Sequence, residues 1–363
     1  MAGYRSIRDL DWPLLLITLA ICSLGVLQIY SATHDTIWRD AWWKQIVWIG
    51  AGLVLLWAAT QIDYHTLLGQ VYIFYGLSIV TLISVFIIGS KVFGSRRWIP
   101  IGGGFKFQIS EFVKLVIVLL VARFMTELKR DEMEWRDLAK IAALVALPML
   151  LVMKQPDLGT ALTYLPILAA GIFLAGLRWQ YLAVIAVALA LTLPIGWHFL
   201  QDYQKARLTT FLNPAADPKG NGYQVIQSKI AVGAGGMWGK GVTRGSQTQL
   251  QFLPVPHTDF IFSAFSEEHG FIGVVVVLGL YFLLLMQIVQ NAQTAPDRAG
   301  MYICLGVGTL LLFHVLVNVG MVVGRMPVTG IPLPLMSAGG SNILSVFLML
   351  GLVNNVRLRR FVN

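Results

Sequence analysis

The sequence contains few charged residues, and acidic residues are the scarcest of them. Charged residues make up 12% of the 363 positions, with only 18 Asp and Glu, whereas an ordinary soluble domain contains about 25% charged residues. Hydrophobic residues account for 56% of the chain, and its mean hydropathy is +0.71. This composition excludes an ordinary soluble domain and predicts an integral membrane protein.

Cysteine is also scarce, because Cys22 and Cys304 are the only two. Each lies inside an apolar stretch, so the sequence excludes a disulfide framework and indicates no cysteine metal site. The sequence also lacks low-complexity tracts and a convincing internal repeat. We therefore interpret residues 1–363 as a single polytopic membrane domain.

Long apolar runs, by contrast, are abundant. About 20 apolar residues cross the hydrocarbon core of a membrane as a helix, and ten runs approach or exceed that length. We therefore predict an all-α integral membrane protein with about ten transmembrane helices. The first run follows Arg5 and Arg8, and we interpret it as an uncleaved span rather than a signal peptide. The predicted spans are 12–30, 43–60, 71–90, 109–127, 139–153, 158–176, 179–200, 259–290, 300–324 and 333–354.

Basic residues near the ends of these spans predict the orientation. Ten spans place both termini on one side, and the C-terminal cluster of Arg357, Arg359 and Arg360 marks that side as the cytoplasm. Slightly more than half of the Lys and Arg residues nevertheless fall on the outer side. The outer excess lies in loop 91–108 and in a large extracytoplasmic loop, 201–258, between spans seven and eight. This exception to the positive-inside rule indicates an outward-facing site for an anionic ligand.

Loop 91–108 reads KVFGSRRWIPIGGGFKFQ and combines Arg96, Arg97 and Lys106 with Trp98 and three consecutive glycines. Two interpretations stay open. An interfacial loop would place Trp and Arg at the level of the lipid headgroups. A phosphate-binding loop would use the glycines for close backbone approach and the arginines to bind phosphate oxygens.

Two further motifs add charged residues to the same outer side. In ISEFVK, Ser110 is expected to cap span four, Glu111 lies in its first turn, and Lys114 can pair with Glu111. A structural role and a catalytic role are both compatible with that pair. In KQPDLGT, Asp157 is expected to cap span six and brings Lys154 with it.

Loop 201–258 is far longer than ordinary connections, and such loops are usually functional or disordered. Its apolar and aromatic content argues against disorder. The stretch QVIQSKIAVGAGG predicts an amphipathic helix lying along the membrane surface. The following GAGGMWGKG lacks the GxGxxG spacing and the strand–helix setting of a dinucleotide site.

Three carboxylates stand at the start of the eighth span, where each costs roughly 2.5–3.5 kcal/mol at membrane depth. Asp259 lies at the outer mouth, helical geometry places Glu267 near its face, and Glu268 falls on the opposite side. Interhelical hydrogen bonding explains polar residues inside spans, but it does not require a carboxylate at a cavity mouth. Asp259 is therefore the functional candidate, and Glu267 and Glu268 are expected to support the structure. The ninth span carries a polar stripe of His314, Asn318 and Arg325.

Five motifs together resemble a known family. The stretches GYQVIQSKIAVGAGG, GSQTQLQFLPVPHTDFIF, SEEHGFIG, VTGIPLPLMSAGGS and KQPDLGT resemble, in order and over nearly the whole chain, the SEDS family of bacterial membrane proteins. SQTQLQFLP before HTDF is similar to the elongation branch rather than the division branch. The departures are small: SAGGS stands where SYGGS is usual, with Ala338 in place of Tyr, and QISE stands where QPSE is usual. Neither affects the acid of HTDF, which is Asp259.

The resemblance implies a peptidoglycan glycosyltransferase. Such proteins polymerise lipid II on the outer face of the bacterial cytoplasmic membrane during cell elongation. Asp259 is implied to be the catalytic residue. It would serve as the general base of an inverting transfer, with undecaprenyl diphosphate as the leaving group. A divalent cation such as Mg²⁺ is compatible with that leaving group, although no residue pattern identifies a metal site.

The basic outer loops and the family motifs together give the residues expected to contact substrate. They carry charges suited to a diphosphate or stand beside Asp259 in the motifs. Four further residues, Glu267, Glu268, His314 and Asn318, are expected to hold the site together. The expected substrate contacts are Arg96, Arg97, Lys106, Glu111, Lys114, Asp157, Lys229, Lys240, His257, Thr258 and Ser337.

The resemblance also implies partners. They are lipid II and the nascent lipid-linked glycan, a class B penicillin-binding protein acting as transpeptidase, other membrane proteins of the elongation complex, and membrane lipids. No nucleic-acid partner is expected. Two other classes of function compete with this one: a transporter or flippase of lipid-linked precursors, using intramembrane acids as a proton relay, and a non-catalytic scaffold of the elongation complex.

Overall fold

The computed structural model describes residues 9–92, 95–102, 105–128, 133–176, 181, 198, 202–214, 217–218 and 220–360. Helices dominate this part of the chain. The first eight are α1 (Trp12–Thr33), α2 (Ala41–Gln61), α3 (Tyr64–Gly69), α4 (Val71–Ile88), α5 (Ile109–Glu127), α6 (Trp135–Lys154), α7 (Leu158–Leu162) and α8 (Tyr164–Leu174). The remaining helices are α9 (Asp202–Leu212), α10 (Asn221–Ala234), α11 (Ser246–Gln249), α12 (Ile261–Gln293), α13 (Arg298–Val322) and α14 (Gly340–Arg359).

Within the described residues, six helices are long and apolar enough to cross a membrane by length and composition: α1, α2, α4, α12, α13 and α14. Helices α5 and α6 coincide with the fourth and fifth predicted spans, and the pair α7–α8 coincides with the sixth. Helix α5 is less apolar because it contains Glu111, Lys114, Arg123 and Glu127. The seventh predicted span, 179–200, lies almost wholly outside the described residues, so the count of ten stays a prediction.

The prediction that 91–108 is a loop was wrong. The segment forms an antiparallel sheet of β1 (Ser90–Val92), β2 (Ser95–Gly102) and β3 (Phe105–Phe107), in the order β1-β2-β3. Trp98 lies opposite Ser90, and Ile99 lies opposite Phe107. Aromatic and β-branched residues favour a pleated, half-buried surface, and their presence among the arginines accounts for the strands. The sheet leads directly into α5.

Helix α12 is broken near its start, where Gly270 has φ 64° and ψ −165°. The break leaves backbone groups on both sides without helical partners, and such groups must be satisfied elsewhere. The glycine-rich stretch before α11 satisfies them. The bonds run from Lys240 N to Glu267 O (3.0 Å), Gly241 N to Glu268 O (2.9 Å), Phe271 N to Gly236 O (2.9 Å) and Ile272 N to Met237 O (3.2 Å).

The close approach explains why GAGGMWGKG is rich in glycine. Gly239 has φ 80°, and a Cβ atom there would lie 2.1 Å from the carbonyl oxygen of Glu268. A Cβ atom at Gly235 would lie 2.0 Å from the carbonyl oxygen of Ser266. These glycines therefore permit backbone-to-backbone contact with the broken helix.

Helix α10 confirms the amphipathic helix predicted in the large loop. Its Ser228 is fully buried, and the hydroxyl groups of Ser228 and Ser263 are 2.9 Å apart. The Ser228 hydroxyl also donates to the carbonyl oxygen of Val322 at the end of α13 (2.7 Å). The helix is thereby fixed to α12 and α13, the two helices that follow Asp259 in the sequence.

Candidate active site

The turn that carries Asp259 precedes α12, since that helix begins at Ile261 and not, as predicted, at Asp259. The Asn318 side chain on α13 donates to the carbonyl oxygens of Asp259 and Ile331, both at 2.9 Å. The Ser337 hydroxyl donates to the carbonyl oxygen of Thr258 (2.8 Å). The backbone of the turn is therefore held by two side chains that are themselves buried.

The segment between α13 and α14 forms the other wall of the site. Two of its backbone carbonyl oxygens hold it to neighbouring helices. Pro332 O lies 3.3 Å from Nδ1 of His314 on α13, and Pro334 O accepts a hydrogen bond from the Tyr281 hydroxyl on α12 at 2.5 Å. Gly330 has φ 73°, and a Cβ atom built on it would lie 3.5 Å from Asp259 Oδ2. Gly330 therefore places backbone directly beside the carboxylate.

Asp259 stays partly exposed to solvent although protein surrounds it closely. Burial raises the pKa of its carboxyl, and the charge of Asp157 acts in the same direction. The charges of Arg97 and Arg207 and a hydrogen bond from Thr258 lower the pKa, yet the net shift is upward. The site therefore combines an accessible carboxylate of increased basicity with two nearby cations.

Asp157 confirms the predicted helix cap, since it accepts the Thr160 backbone N–H (3.2 Å) at the start of α7. Its Oδ2 also accepts Gln108 Nε2 (2.7 Å), and its Oδ1 lies 3.4 Å from Arg97 Nη1. The side chain of Asp157 is 6% exposed and that of Arg97 is 30% exposed. Asp157 therefore fixes Arg97 while leaving part of its guanidinium open to a ligand.

The basic residues of the sheet are not equivalent. Arg97 takes part in the Asp157–Asp259 cluster. Arg96 is exposed and donates to the carbonyl oxygen of Phe86 (3.3 Å), and Lys106 is also exposed. The expectation that all three contact one ligand is thus supported by geometry for Arg97 alone.

Arg207 on α9 is a site residue that sequence reasoning missed. Its Nη1 donates to the carbonyl oxygen of Thr329 (3.0 Å), next to Gly330, and its charge acts on Asp259. The only signal in the sequence was the excess of basic residues in loop 201–258. No spacing or motif distinguished Arg207 from the other cations of that loop.

Glu111 and Lys114 form the predicted pair on α5, with 2.8 Å between Oε1 and Nζ, and both side chains are almost fully buried. Asn342 Nδ2 donates to the other oxygen of Glu111 (2.9 Å), and His314 Nε2 lies 3.3 Å from Lys114 Nζ. His314 connects this pair to the wall of the site, because its other nitrogen lies beside Pro332. The predicted cap at Ser110 was wrong: α5 begins at Ile109, and Gln108, in an extended conformation, takes the cap position.

Glu267 belongs to a separate cluster. It is fully buried and pairs with Lys240 at 2.8 Å, and it also accepts the backbone N–H groups of Gln247 (2.9 Å) and Thr248 (3.2 Å). All three partners belong to the large loop, which folds back against the start of α12.

Glu268 contacts α1. Its two oxygens accept the Ser31 hydroxyl at 2.6 and 2.7 Å, and Gln28 donates at 3.2 Å. Lys229 is exposed, with its aliphatic part beside Gly324. The structure thus places Lys240, Glu267 and Glu268 in contacts that hold the large loop, and it places Lys229 at the surface.

Within the described ranges, no three His, Cys, Asp or Glu side chains are arranged to hold a metal ion. The site therefore consists of the carboxylates Asp259 and Asp157 and the cations Arg97 and Arg207. The groups that position them are Thr258, Asn318, Ser337 and Gln108. Such an arrangement can accept a proton at one point and stabilise negative charge a short distance away.

The chain matches the model of one protein family over residues 12–360, that of the FtsW, RodA and SpoVE cell cycle proteins. It is 39% identical to peptidoglycan glycosyltransferase MrdB of Escherichia coli K12, over 97% of this chain and 94% of the relative. It is 35% identical to peptidoglycan glycosyltransferase RodA of Treponema pallidum, over 98% and 99%.

Solved structures show the same similarity. A chain of a peptidoglycan synthase complex, described as coordinating polymerization and crosslinking, superposes with a TM-score of 0.84 at 36% identity, covering 98% of this chain and 99% of that one. The rod shape determining protein RodA of Thermus thermophilus superposes with a TM-score of 0.73 at 31% identity, covering 97% and 98%.

Proposed function

The chain belongs to the family of FtsW, RodA and SpoVE cell cycle proteins, and on that premise we propose that it is a multi-pass peptidoglycan glycosyltransferase. It polymerises lipid II into glycan strands on the outer face of the bacterial cytoplasmic membrane during elongation, with both termini in the cytoplasm. The observation that supports this most directly is Asp259, a partly exposed carboxylate of raised pKa, fixed through its backbone and accompanied by Arg97 and Arg207.

The proposed reaction is a single displacement. Asp259 takes the proton of the acceptor sugar hydroxyl as its oxygen forms a bond to the anomeric carbon of the donor sugar. The bond from that carbon to undecaprenyl diphosphate breaks, and the electron pair leaves with the diphosphate. Attack opposite the leaving group inverts the anomeric carbon. Arg97 and Arg207 stabilise the developing negative charge, while general-base assistance contributes about 10²- to 10⁴-fold.

We also propose a class B penicillin-binding protein as partner. The similar chain from a synthase complex that coordinates polymerization and crosslinking supports this proposal. Other membrane proteins of the elongation complex and the surrounding lipids complete the expected environment.

The decisive experiment gives the purified protein lipid II in detergent, with and without Mg²⁺, and resolves the products by gel electrophoresis. Glycan polymer made by the wild-type chain supports the proposal. Absence of polymer, with or without the transpeptidase, contradicts it. Movement of lipid II across vesicles by an inactive polymerase would favour the flippase instead.

Arg97→Ala is expected to lower polymerisation by about tenfold or more, whereas Arg96→Ala should stay near the wild-type rate. The reason is that Arg97 acts on Asp259 and is fixed by Asp157, while Arg96 donates to the carbonyl oxygen of Phe86. One charged contact in a transition state typically contributes a few kcal/mol, and each 1.36 kcal/mol is tenfold in rate. Initial rates on lipid II measure both variants, and equal losses would show that the sheet supplies only general positive charge.

The rate of polymerisation is expected to fall as the pH falls through the raised pKa of Asp259. Only the deprotonated carboxylate can accept a proton. Because the pKa of Asp259 is raised, activity should be lost at a higher pH than the ordinary Asp pKa of ~3.9 would give. Arg97 lowers that pKa, so Arg97→Ala should move the acid limb to still higher pH. The pH dependence of kcat/KM for both proteins tests this. If the acid limb of the Arg97→Ala profile stays at the wild-type pH or moves to lower pH, the prediction is contradicted.

A further inference from the structure

An exposed tryptophan lies beside the turn that carries Asp259. Trp38, in the connection between α1 and α2, has 52% of its surface exposed. Its ring lies 5.5 Å from that of His257, centroid to centroid, with the planes inclined by 37°. His257 is two residues from Asp259, so an aromatic surface adjoins the turn that carries the reacting carboxylate.

The tryptophan is held in place by its own turn. Its backbone N–H donates to the Thr36 hydroxyl (3.1 Å), and its carbonyl oxygen accepts the Ala41 N–H at the start of α2 (2.8 Å). His257 is fixed as well, since its carbonyl oxygen accepts the Ala338 N–H (2.9 Å). The backbones that carry the two rings are thus each held by hydrogen bonds, and the rings lie against each other.

His257 adds a hydrogen-bonding group to that surface. Its side chain is mostly buried, and burial lowers the pKa of the imidazole to about 4, so the ring is neutral near pH 7. Among the described residues, neither ring nitrogen has a hydrogen-bond partner. A neutral imidazole carries one donor and one acceptor, which matches the hydroxyl and amide groups of an amino sugar.

We propose that Trp38 and His257 form a saccharide subsite next to the reacting position. It would bind a β-linked N-acetylated amino sugar, with the C–H face of the ring against Trp38 and a polar group on His257. This inference rests on the proposed function, because that function supplies a lipid-linked saccharide at Asp259. Aromatic rings combine a large apolar face with a fixed geometry, and a sugar ring presents an apolar face of C–H groups.

The competing explanation is that Trp38 is only an anchor at the membrane interface, where Trp and Tyr are enriched. Trp43, at the start of α2, provides a matched control. It is 57% exposed, close to the value for Trp38, and its ring packs against that of Trp42 rather than against the Asp259 turn. If both residues are interface anchors, Trp38→Ala and Trp43→Ala should have similar effects. If Trp38 belongs to a saccharide subsite, only Trp38→Ala should weaken saccharide binding.

The test measures binding of a lipid-free tetrasaccharide, released from peptidoglycan by a muramidase, to the purified full chain in detergent by saturation-transfer NMR. Trp38→Ala should weaken binding by about five- to tenfold, since an aromatic stack contributes on that scale. Trp38→Phe should retain most of the affinity, and Trp43→Ala should equal the wild type. Trp38 is exposed, so its variants should fold.

A second readout follows polymerisation of lipid II. Trp38→Ala should raise KM and shorten the glycan products with little change in kcat, because the ring does not contact the reacting atoms. The inference is overturned if the wild type does not bind the tetrasaccharide, or if Trp38→Ala and Trp43→Ala behave alike in both assays. A wild type that binds saccharide but makes no polymer would instead contradict the proposed function and leave the subsite standing.

Discussion

Asp259→Asn is expected to lower glycan polymerisation by at least about 10²- to 10⁴-fold, to the limit of detection in a gel assay. The amide has almost the size of the carboxylate but cannot accept the proton of the acceptor hydroxyl. Folding should be preserved, because the turn is held through the carbonyl oxygens of Asp259 and Thr258 and not through the carboxylate. Initial rates with lipid II, together with the thermal midpoint of the purified variant, measure the two effects separately.

The matched control for this variant is Asp35→Asn. Asp35 lies on the connection between α1 and α2, its side chain is 84% exposed, and its ion-pair partner is His34. The same change of charge there should leave the rate unaltered. If Asp259→Asn retains substantial polymerase activity, the general base lies elsewhere, and Asp157 or Glu111 becomes the candidate. Binding of lipid II should persist in Asp259→Asn, since Arg97 and Arg207 are unchanged.

Features that depend on nearby residues in the sequence were predictable. Apolar runs placed the helices, because a membrane helix requires a long uninterrupted apolar stretch. The i, i+3 spacing of Glu111 and Lys114 predicted their ion pair. Asp157 followed by Leu-Gly-Thr predicted a helix cap, which the bond from Thr160 N confirms. In each case the residues that form the feature lie close together in the sequence.

Features that depend on distant segments were not predictable. The break in α12 depends on the backbone of residues 236–241, which bonds the groups that the interrupted helix leaves without partners. Arg207 donates to the carbonyl oxygen of Thr329, more than one hundred residues away, and no local pattern in the sequence predicts that contact. Arg96 and Arg97 are adjacent in sequence, and only their different contacts distinguish them.

The second large effect is expected at the buried pair of Glu111 and Lys114. Their side chains are 4% and 1% exposed and lie 2.8 Å apart. Replacing one member leaves the other charge buried without its counterion, which typically costs 3–5 kcal/mol. Glu111→Gln alone and Lys114→Met alone should therefore each lower the stability and the polymerisation rate strongly. The double variant should be less impaired than the sum of the two, since no lone buried charge remains.

A double-mutant cycle on an exposed ion pair of the same helix provides the comparison. Arg123 and Glu127 also form an ion pair on α5, at 2.6 Å, but their side chains are 39% and 44% exposed. Exposed pairs contribute about 0.2–1 kcal/mol because water screens both charges. Coupling energies from the unfolding of both sets of variants in detergent should differ severalfold, with the larger value at Glu111 and Lys114. If the effects of Glu111→Gln and Lys114→Met simply add in the double variant, the two residues act independently. The pair then does not order the wall of the site that His314 and Asn342 connect to Asp259.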